Sequence, residues 1–148
     1  MKNDRDFDNL RRKLVDNIET REARICVVGL GYVGLPLAIS FGEANFRVIG
    51  IDVDGQVVKR LNRGVSHVTD ISSKRLKALP KGALRFSKEF SEVKNCDVVI
   101  VCVPTPLGKT RDPDLSFVVN ATQAISQHLC PGMLVLLEST TYPGTTEE

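Results

Sequence analysis

The chain carries almost no net charge: 20 Lys and Arg stand against 18 Asp and Glu over 148 residues, and the basic ones are scattered. That balance argues against a dedicated nucleic-acid or anionic-membrane surface, so an anionic ligand has to be held locally. No apolar stretch approaches the ~20 residues that a bilayer-spanning helix needs, and the start, Met1-Lys2-Asn3-Asp4-Arg5-Asp6, lacks an apolar signal core. A cytoplasmic protein is expected. The four cysteines, Cys26, Cys96, Cys102 and Cys130, never fall in a C-x-x-C spacing, and His67 and His128 are the only histidines. No metal site is expected, and the thiols read as reduced and buried. Internal repeats and low-complexity linkers are missing as well. What is there, 42% hydrophobic and 26% charged residues, is the composition of one globular domain with an ordinary core.

Between Asp4 and Thr20, Phe7, Leu10, Leu14 and Ile18 recur every three or four residues among charged and amide side chains, which predicts an amphipathic N-terminal helix. Residues 1–22 are expected to form a helical extension, packed on the domain edge or acting as a subunit contact or arm. From Arg24 the pattern changes. Arg24-Ile25-Cys26-Val27-Val28-Gly29 reads as a strand and Val33 to Phe41 as a helix. Phe46 to Asp52 is a second strand, and Asp54 to Asn62 a second helix ended by Gly64. Leu84-Arg85-Phe86 makes a weaker third strand. Asp97 to Val103 is a continuous apolar run suited to an interior strand of a parallel sheet, stopped by Pro104. Asp114 or Ser116 can cap a helix carrying Val118, Val119, Ala121, Thr122 and Ile125, and Pro131-Gly132 turns the chain into the strand Met133 to Glu138. This alternation predicts an α/β fold: a doubly wound, Rossmann-like parallel sheet with flanking helices, preceded by the N-terminal helix, with strand order 3-2-1-4-5.

Gly29-Leu30-Gly31-Tyr32-Val33-Gly34 fits G-x-G-x-x-G at the expected place, between the first strand and its helix. Gly29 permits the tight turn, Gly31 lets the backbone approach a pyrophosphate, and Gly34 allows the helix to pack closely on the strand. Free N–H groups at the helix start face the anion. Asp52 closes the second strand 18 residues past Gly34. A carboxylate there accepts hydrogen bonds from ribose hydroxyls and repels a 2′-phosphate, which favours NAD over NADP, although Lys59 and Arg60 lie nearby in sequence. The expected cofactor contacts are therefore Gly29, Leu30, Gly31, Tyr32, Val33, Gly34, Asp52 and Val53. The Tyr32 ring can cover the cofactor or pack on neighbouring side chains.

Four segments then carry a family resemblance: Gly29-Leu30-Gly31-Tyr32-Val33-Gly34-Leu35-Pro36; Leu61-Asn62-Arg63-Gly64; Val103-Pro104-Thr105-Pro106-Leu107 with Asp112-Pro113-Asp114-Leu115-Ser116; and Glu138-Ser139-Thr140-Thr141-Tyr142-Pro143-Gly144-Thr145-Thr146. From about Arg24 to Glu148 the chain resembles the cofactor-binding N-terminal domain of the UDP-glucose/GDP-mannose dehydrogenase family, whose members oxidise nucleotide sugars at C6. Ser66-His67-Val68-Thr69-Asp70-Ile71 and Ser139 to Gly144 most resemble the bacterial subgroup acting on UDP-N-acetyl-hexosamines, notably the UDP-N-acetyl-D-glucosamine 6-dehydrogenases. The resemblance implies that Thr105 touches the cofactor and that Thr140, second of the Ser139-Thr140 pair, helps hold a catalytic water. Residue chemistry agrees in part. Pro104 and Pro106 stiffen the turn after Val103 and leave Thr105 as its flanked hydroxyl, free to meet the cofactor or to bond its own turn. Ser139 and Thr140 end the last strand at the same sheet edge. Two departures stand out: many relatives place the Pro143 proline one position earlier, and Val57 cannot make the contact that some relatives make with a Lys or Arg five residues after the acid.

The resemblance further implies two hydride transfers to two NAD through a thioester on a cysteine of a later domain. No nucleophile is identifiable here, since Cys26, Cys96 and Cys102 belong to strands or a strand start and Cys130 precedes Pro131. Residues 23–148 are thus expected to be an NAD-binding domain cut from a longer homodimeric enzyme and inactive alone. The substrate, a nucleotide sugar, would be held mostly by the missing domains. Two other readings differ in class: a non-catalytic NAD-sensing module, and a hydroxyacid-type dehydrogenase.

Overall fold

Five short segments become the strands of one parallel sheet, in a computed structural model that describes residues 2–106 and 114–141, with side chains from Asp6 onward. The motif residues Leu107 to Pro113 and Tyr142 to Glu148 lie outside the described residues. The strands are β1 (Arg24–Val28), β2 (Arg47–Ile51), β3 (Leu84–Ser87), β4 (Val98–Val101) and β5 (Leu134–Leu137), in the order β3-β2-β1-β4-β5. All four pairings are parallel, with Val28 of β1 opposite both Ile51 and Val101. The doubly wound order expected from the sequence is the observed one. Helices α1 (Lys2–Glu19), α2 (Gly34–Glu43), α3 (Gly55–Asn62), α4 (Ser73–Lys77) and α5 (Ser116–Ser126) flank it.

The alternation of side chains along each strand divides the core. Cys26, Val28, Ile49, Ile51, Val99 and Val101 face Ala121 and Ile125 of α5 and Val93 of a 3-10 helix (Phe90–Asn95). Ile25, Val27, Val48, Val98 and Ile100 point the other way, toward Ala38 of α2 and toward Leu14 and Ile18 of α1. A third cluster joins Leu30, Leu35 and Ile39 to Val58 and Leu61 of α3, Leu76 of α4 and Phe86 of β3. Because β1 and β4 are covered on both faces, they read as unbroken apolar runs rather than alternating ones. β5 has only one strand neighbour, and Leu134, Val135 and Leu136 stay 37–42% exposed.

Local chemistry explains the element ends. Asp54 caps α3, its Oδ1 accepting the Gln56 N–H at 2.7 Å, and Gly64 with φ of 71° closes the helix. α5 differs from the expected capping: Leu115 is its N-cap residue and has no side-chain cap, while the Asp114 carboxylate one residue earlier accepts the Ser116 N–H at 2.9 Å. That bond holds Asp114 below the usual carboxylate range. α4 and the 3-10 helix are absent from the sequence expectations, because segments of five or six residues complete too few turns to show periodicity. In α1, Leu14 and Ile18 pack on the core and Leu10 lies over Gly132, whereas Phe7 is exposed. Packing on the domain edge is therefore what the C-terminal half of α1 does.

The thiols correct one expectation. Cys26, Cys96 and Cys102 are buried, but Cys130 is exposed in the turn before β5. A hydrogen bond with Cys96 and burial push the Cys26 thiol far above its usual range, and burial, reinforced by Glu138, pushes Cys102 up to about 11. In the native chain a thiol reagent near neutral pH is expected to modify Cys130 rapidly and the other three only after unfolding. Titration with a chromogenic disulfide should read one fast equivalent; three or four fast equivalents would contradict the buried placement.

Candidate functional site

A cleft of about 600 Å³ opens at the carboxyl ends of β1, β2 and β4, where the chain direction out of the sheet reverses. Its floor is Val28, Gly29, Leu30 and Gly31. Gly29 leaves β1 with φ of 91°, a conformation costly for any residue with a Cβ, and its N–H donates to the Ile51 carbonyl at 2.8 Å. The glycine turn is thereby tied to the end of β2. Gly34, three residues after Gly31, starts α2, and a Cβ there would sit 1.8 Å from the Gly29 carbonyl oxygen. Helix and turn touch backbone to backbone.

Gly31 is different: nothing lies within 4 Å of where its Cβ would be. The space that glycine leaves open belongs to the cleft. Beside it, the N-cap residue of α2 is Val33, which offers no side-chain cap, and the first turn holds no acidic residue. The Leu35 N–H is taken by the Gly31 carbonyl at 3.1 Å and Pro36 carries none, so the terminus keeps the positive end of its dipole with no protein anion to meet it. Such a terminus suits a phosphate oxygen.

Asp52 follows β2 and is held from two sides. Its Oδ2 accepts the Leu30 N–H and its Oδ1 the Asp54 N–H, each at 2.9 Å. An ionised carboxylate has about four lone-pair sites, so about two remain for a diol in the cleft. The same bonds fix the carboxylate against the glycine turn, so both halves of the site move as one unit.

Of the residues expected from the sequence, the structure gathers Gly29, Leu30, Gly31, Asp52, Val53, Val103 and Pro104 around the cleft. Leu30 enters through its backbone alone, because its side chain is fully buried over Gly50 and Phe86. Tyr32 and Val33 are exposed and do not line the cleft, and Tyr32 as a residue is 72% accessible, so its ring is not packed on its neighbours. Gly34, Thr105, Ser139 and Thr140 lie off the cleft wall. Thr105 is half-buried and Thr140 exposed. Ser139 does structural service here: its hydroxyl donates to the Val103 carbonyl at 2.7 Å and joins the segments that follow β4 and β5. The remaining walls come from Val57, His67, Phe90, Phe117, Asn120 and Ala124. The sequence marks Val57 only as a position where some relatives carry a Lys or Arg and His67 only as part of a subgroup segment, and it has no signal for Phe90, Phe117, Asn120 and Ala124, because the wall converges from α3, α5, the 3-10 helix and a loop far apart in the chain.

Comparison with known proteins agrees with this geometry. Residues 23–148 match the sequence model of the UDP-glucose/GDP-mannose dehydrogenase family, NAD binding domain. The chain belongs to this family. Its cofactor is accordingly NAD, which the open Gly31 backbone, the uncapped α2 terminus and the tethered Asp52 all fit. The chain is 42% identical over 127 residues to UDP-N-acetyl-D-mannosamine dehydrogenase of Pyrococcus horikoshii, covering 84% of this chain and 30% of that protein. It is 38% identical over 128 residues to UDP-N-acetyl-D-glucosamine 6-dehydrogenase of Pseudomonas aeruginosa, covering 86% of this chain and 30% of the relative. Among solved structures, GDP-mannose dehydrogenase from Pseudomonas aeruginosa superposes with a TM-score of 0.80 at 30% identity, over 84% of this chain and 30% of that one. The chain spans about a third of the length of the relatives it matches. Among the described residues no helix is long and apolar enough to cross a membrane, and no group of side chains is arranged to hold a metal ion.

Proposed function

We propose that the chain is the cofactor-binding part of a cytoplasmic nucleotide-sugar 6-dehydrogenase, a homodimer in its full length, which makes polysaccharide precursors. The whole enzyme oxidises the C6 alcohol of a UDP-N-acetyl-hexosamine to the carboxylate with two NAD. The tethered Asp52 facing an open glycine turn carries the cofactor half of this reading. Identity to relatives named for UDP-N-acetyl-D-mannosamine and UDP-N-acetyl-D-glucosamine supports the substrate half. NAD, when bound, accepts the hydride; the residues of this chain bind and orient it. Backbone N–H groups from Gly31 to Gly34 meet the pyrophosphate, Asp52 takes the adenosine ribose hydroxyls, and Val53, Val103 and Pro104 line its path. Thr105 and Ser139 lie toward the nicotinamide, and Thr140 holds a water for the second oxidation.

A form of the protein carrying the remaining domains of the family tests the whole reading. It should release two NADH per molecule of UDP-N-acetyl-D-glucosamine or UDP-N-acetyl-D-mannosamine consumed, while the 148-residue chain binds NAD and turns over neither. Oxidation of simple hydroxyacids in place of any UDP-sugar would overturn it. Gly31→Ala isolates the pyrophosphate contact. Its methyl group enters open space, so the thermal midpoint should stay within about 2 °C of the parent. NAD affinity should fall more than about 30-fold, because that space is where the phosphates approach the backbone. Calorimetric titration checks this; undiminished affinity would place the pyrophosphate elsewhere.

A further inference from the structure

His67 is held in the loop between α3 and α4 by its neighbours. The Ser66 N–H donates to Ser73 Oγ at 3.1 Å, and Ser66 Oγ both donates to the Val68 carbonyl and accepts the Val68 N–H, each at 3.1 Å. Val68 itself is buried in the third core cluster. The backbone on either side of the ring is therefore fixed, and the ring lines the cleft together with Asp52, Val53, Asp54 and Val57. The same cleft holds the ribose-facing carboxylate of Asp52.

Within this ring Nδ1 is sealed from solvent with no hydrogen-bond partner, and among the described residues it is the one buried side-chain nitrogen or oxygen in that condition. A neutral imidazole carries one N–H and one lone pair. Placing the proton on Nε2 leaves only a lone pair sealed, whereas an Nδ1 proton would be a buried donor without an acceptor. The Nε2 atom makes no hydrogen bond among the described residues, so its N–H is left to donate to what enters the cleft. Asp52 and Asp54, which line the same cleft, repel a phosphate. Val57, Phe90 and Phe117 supply apolar surface. A neutral, flat heterocycle bearing acceptor nitrogens matches that combination.

We infer that His67 is a specificity-determining residue for the adenine base of the dinucleotide, its Nε2–H donating to a ring nitrogen of adenine. The inference rests on the adenosine half of NAD occupying the part of the cleft that His67 lines. The loop is preorganised by the Ser66 bonds, so little side-chain freedom remains to be lost on binding.

Titration of the 148-residue chain with NAD and with ADP-ribose, in the parent, His67→Ala and His67→Gln, tests it. His67→Ala should bind both ligands about tenfold more weakly, the loss of one neutral hydrogen bond. His67→Gln, whose side-chain amide N–H reaches the place of Nε2, should recover most of that loss. In the parent, the ring Nε2 resonance should shift on addition of ADP-ribose. The unliganded thermal midpoint should not fall in His67→Ala, which separates a binding role from a structural one. If the parent binds both ligands while His67→Ala matches it within twofold, or the Nε2 resonance stays still, the assignment of His67 is wrong and the cleft stands. If the parent binds neither ligand, the reading of the cleft falls and His67 with it.

Discussion

Gly34→Ala is expected to lower the thermal midpoint of the chain by about 10 °C or more, and to do so with or without cofactor present. The added Cβ would lie 1.8 Å from the Gly29 carbonyl oxygen, 3.0 Å from its carbonyl carbon and 3.1 Å from Cys102 Cβ. Side chains that overfill a core cost about 1–3 kcal/mol because they can rotate away. Here the obstacle is backbone, itself pinned by the Gly29 N–H bond to Ile51 and by the Cys102 N–H bond to Val28 at 2.7 Å. Relief requires α2 to lift from β1, opening contacts of Leu35, Ala38 and Ile39, all fully buried. A penalty of about 4 kcal/mol is a large part of the 5–15 kcal/mol that separates folded from unfolded domains. At roughly 3 °C per kcal/mol for a chain of this size the shift follows. Differential scanning calorimetry of Gly34→Ala beside Gly31→Ala reads it directly. Equal midpoints for the two variants would mean that the turn has more room than its atoms indicate.

Asp52→Asn should raise the dissociation constant for NAD by about 30-fold and bring NADP closer to it. The substitution keeps the size of the side chain but removes its charge and turns one oxygen into a donor. That donor then opposes the N–H of either Leu30 or Asp54, both of which now give their protons to the carboxylate. One tether is lost, at a cost of about 1–2 kcal/mol in stability, and the charge-assisted bonds to the ribose hydroxyls weaken by a similar amount or more. Repulsion of a 2′-phosphate disappears with the negative charge, so the ratio of NADP to NAD dissociation constants should narrow. Paired calorimetric titrations with both dinucleotides decide the matter. A variant that loses stability yet keeps its NAD affinity would restrict Asp52 to tethering the glycine turn.

Much of this site is legible in the order of the amino acids. A glycine turn between a β-branched strand and an apolar helix, with an acid at the end of the next strand, is local information: each residue lies within a few positions of the element that places it. Continuous runs such as Val98 to Val101 likewise announce that helices cover both faces of the sheet. Position in the chain does not, however, say which atoms face a cavity. Leu30 is in the motif but contributes only backbone, and Tyr32 and Val33 are exposed away from the cleft lining.

The sequence alone determined the strand order, the glycine turn, the acid and, through these, the dinucleotide class. Their causes are short-range: backbone freedom at glycine, periodic burial and right-handed crossovers. Tertiary structure alone decided the rest. It showed that Asp52 is clamped by Leu30 and Asp54, that Ser139 is occupied with the Val103 carbonyl, and that Cys130 faces solvent. It also brought His67, Phe90 and Phe117 to one cleft from three separate elements. Such convergence depends on how helices pack on a sheet, and packing joins residues that no spacing along the chain connects.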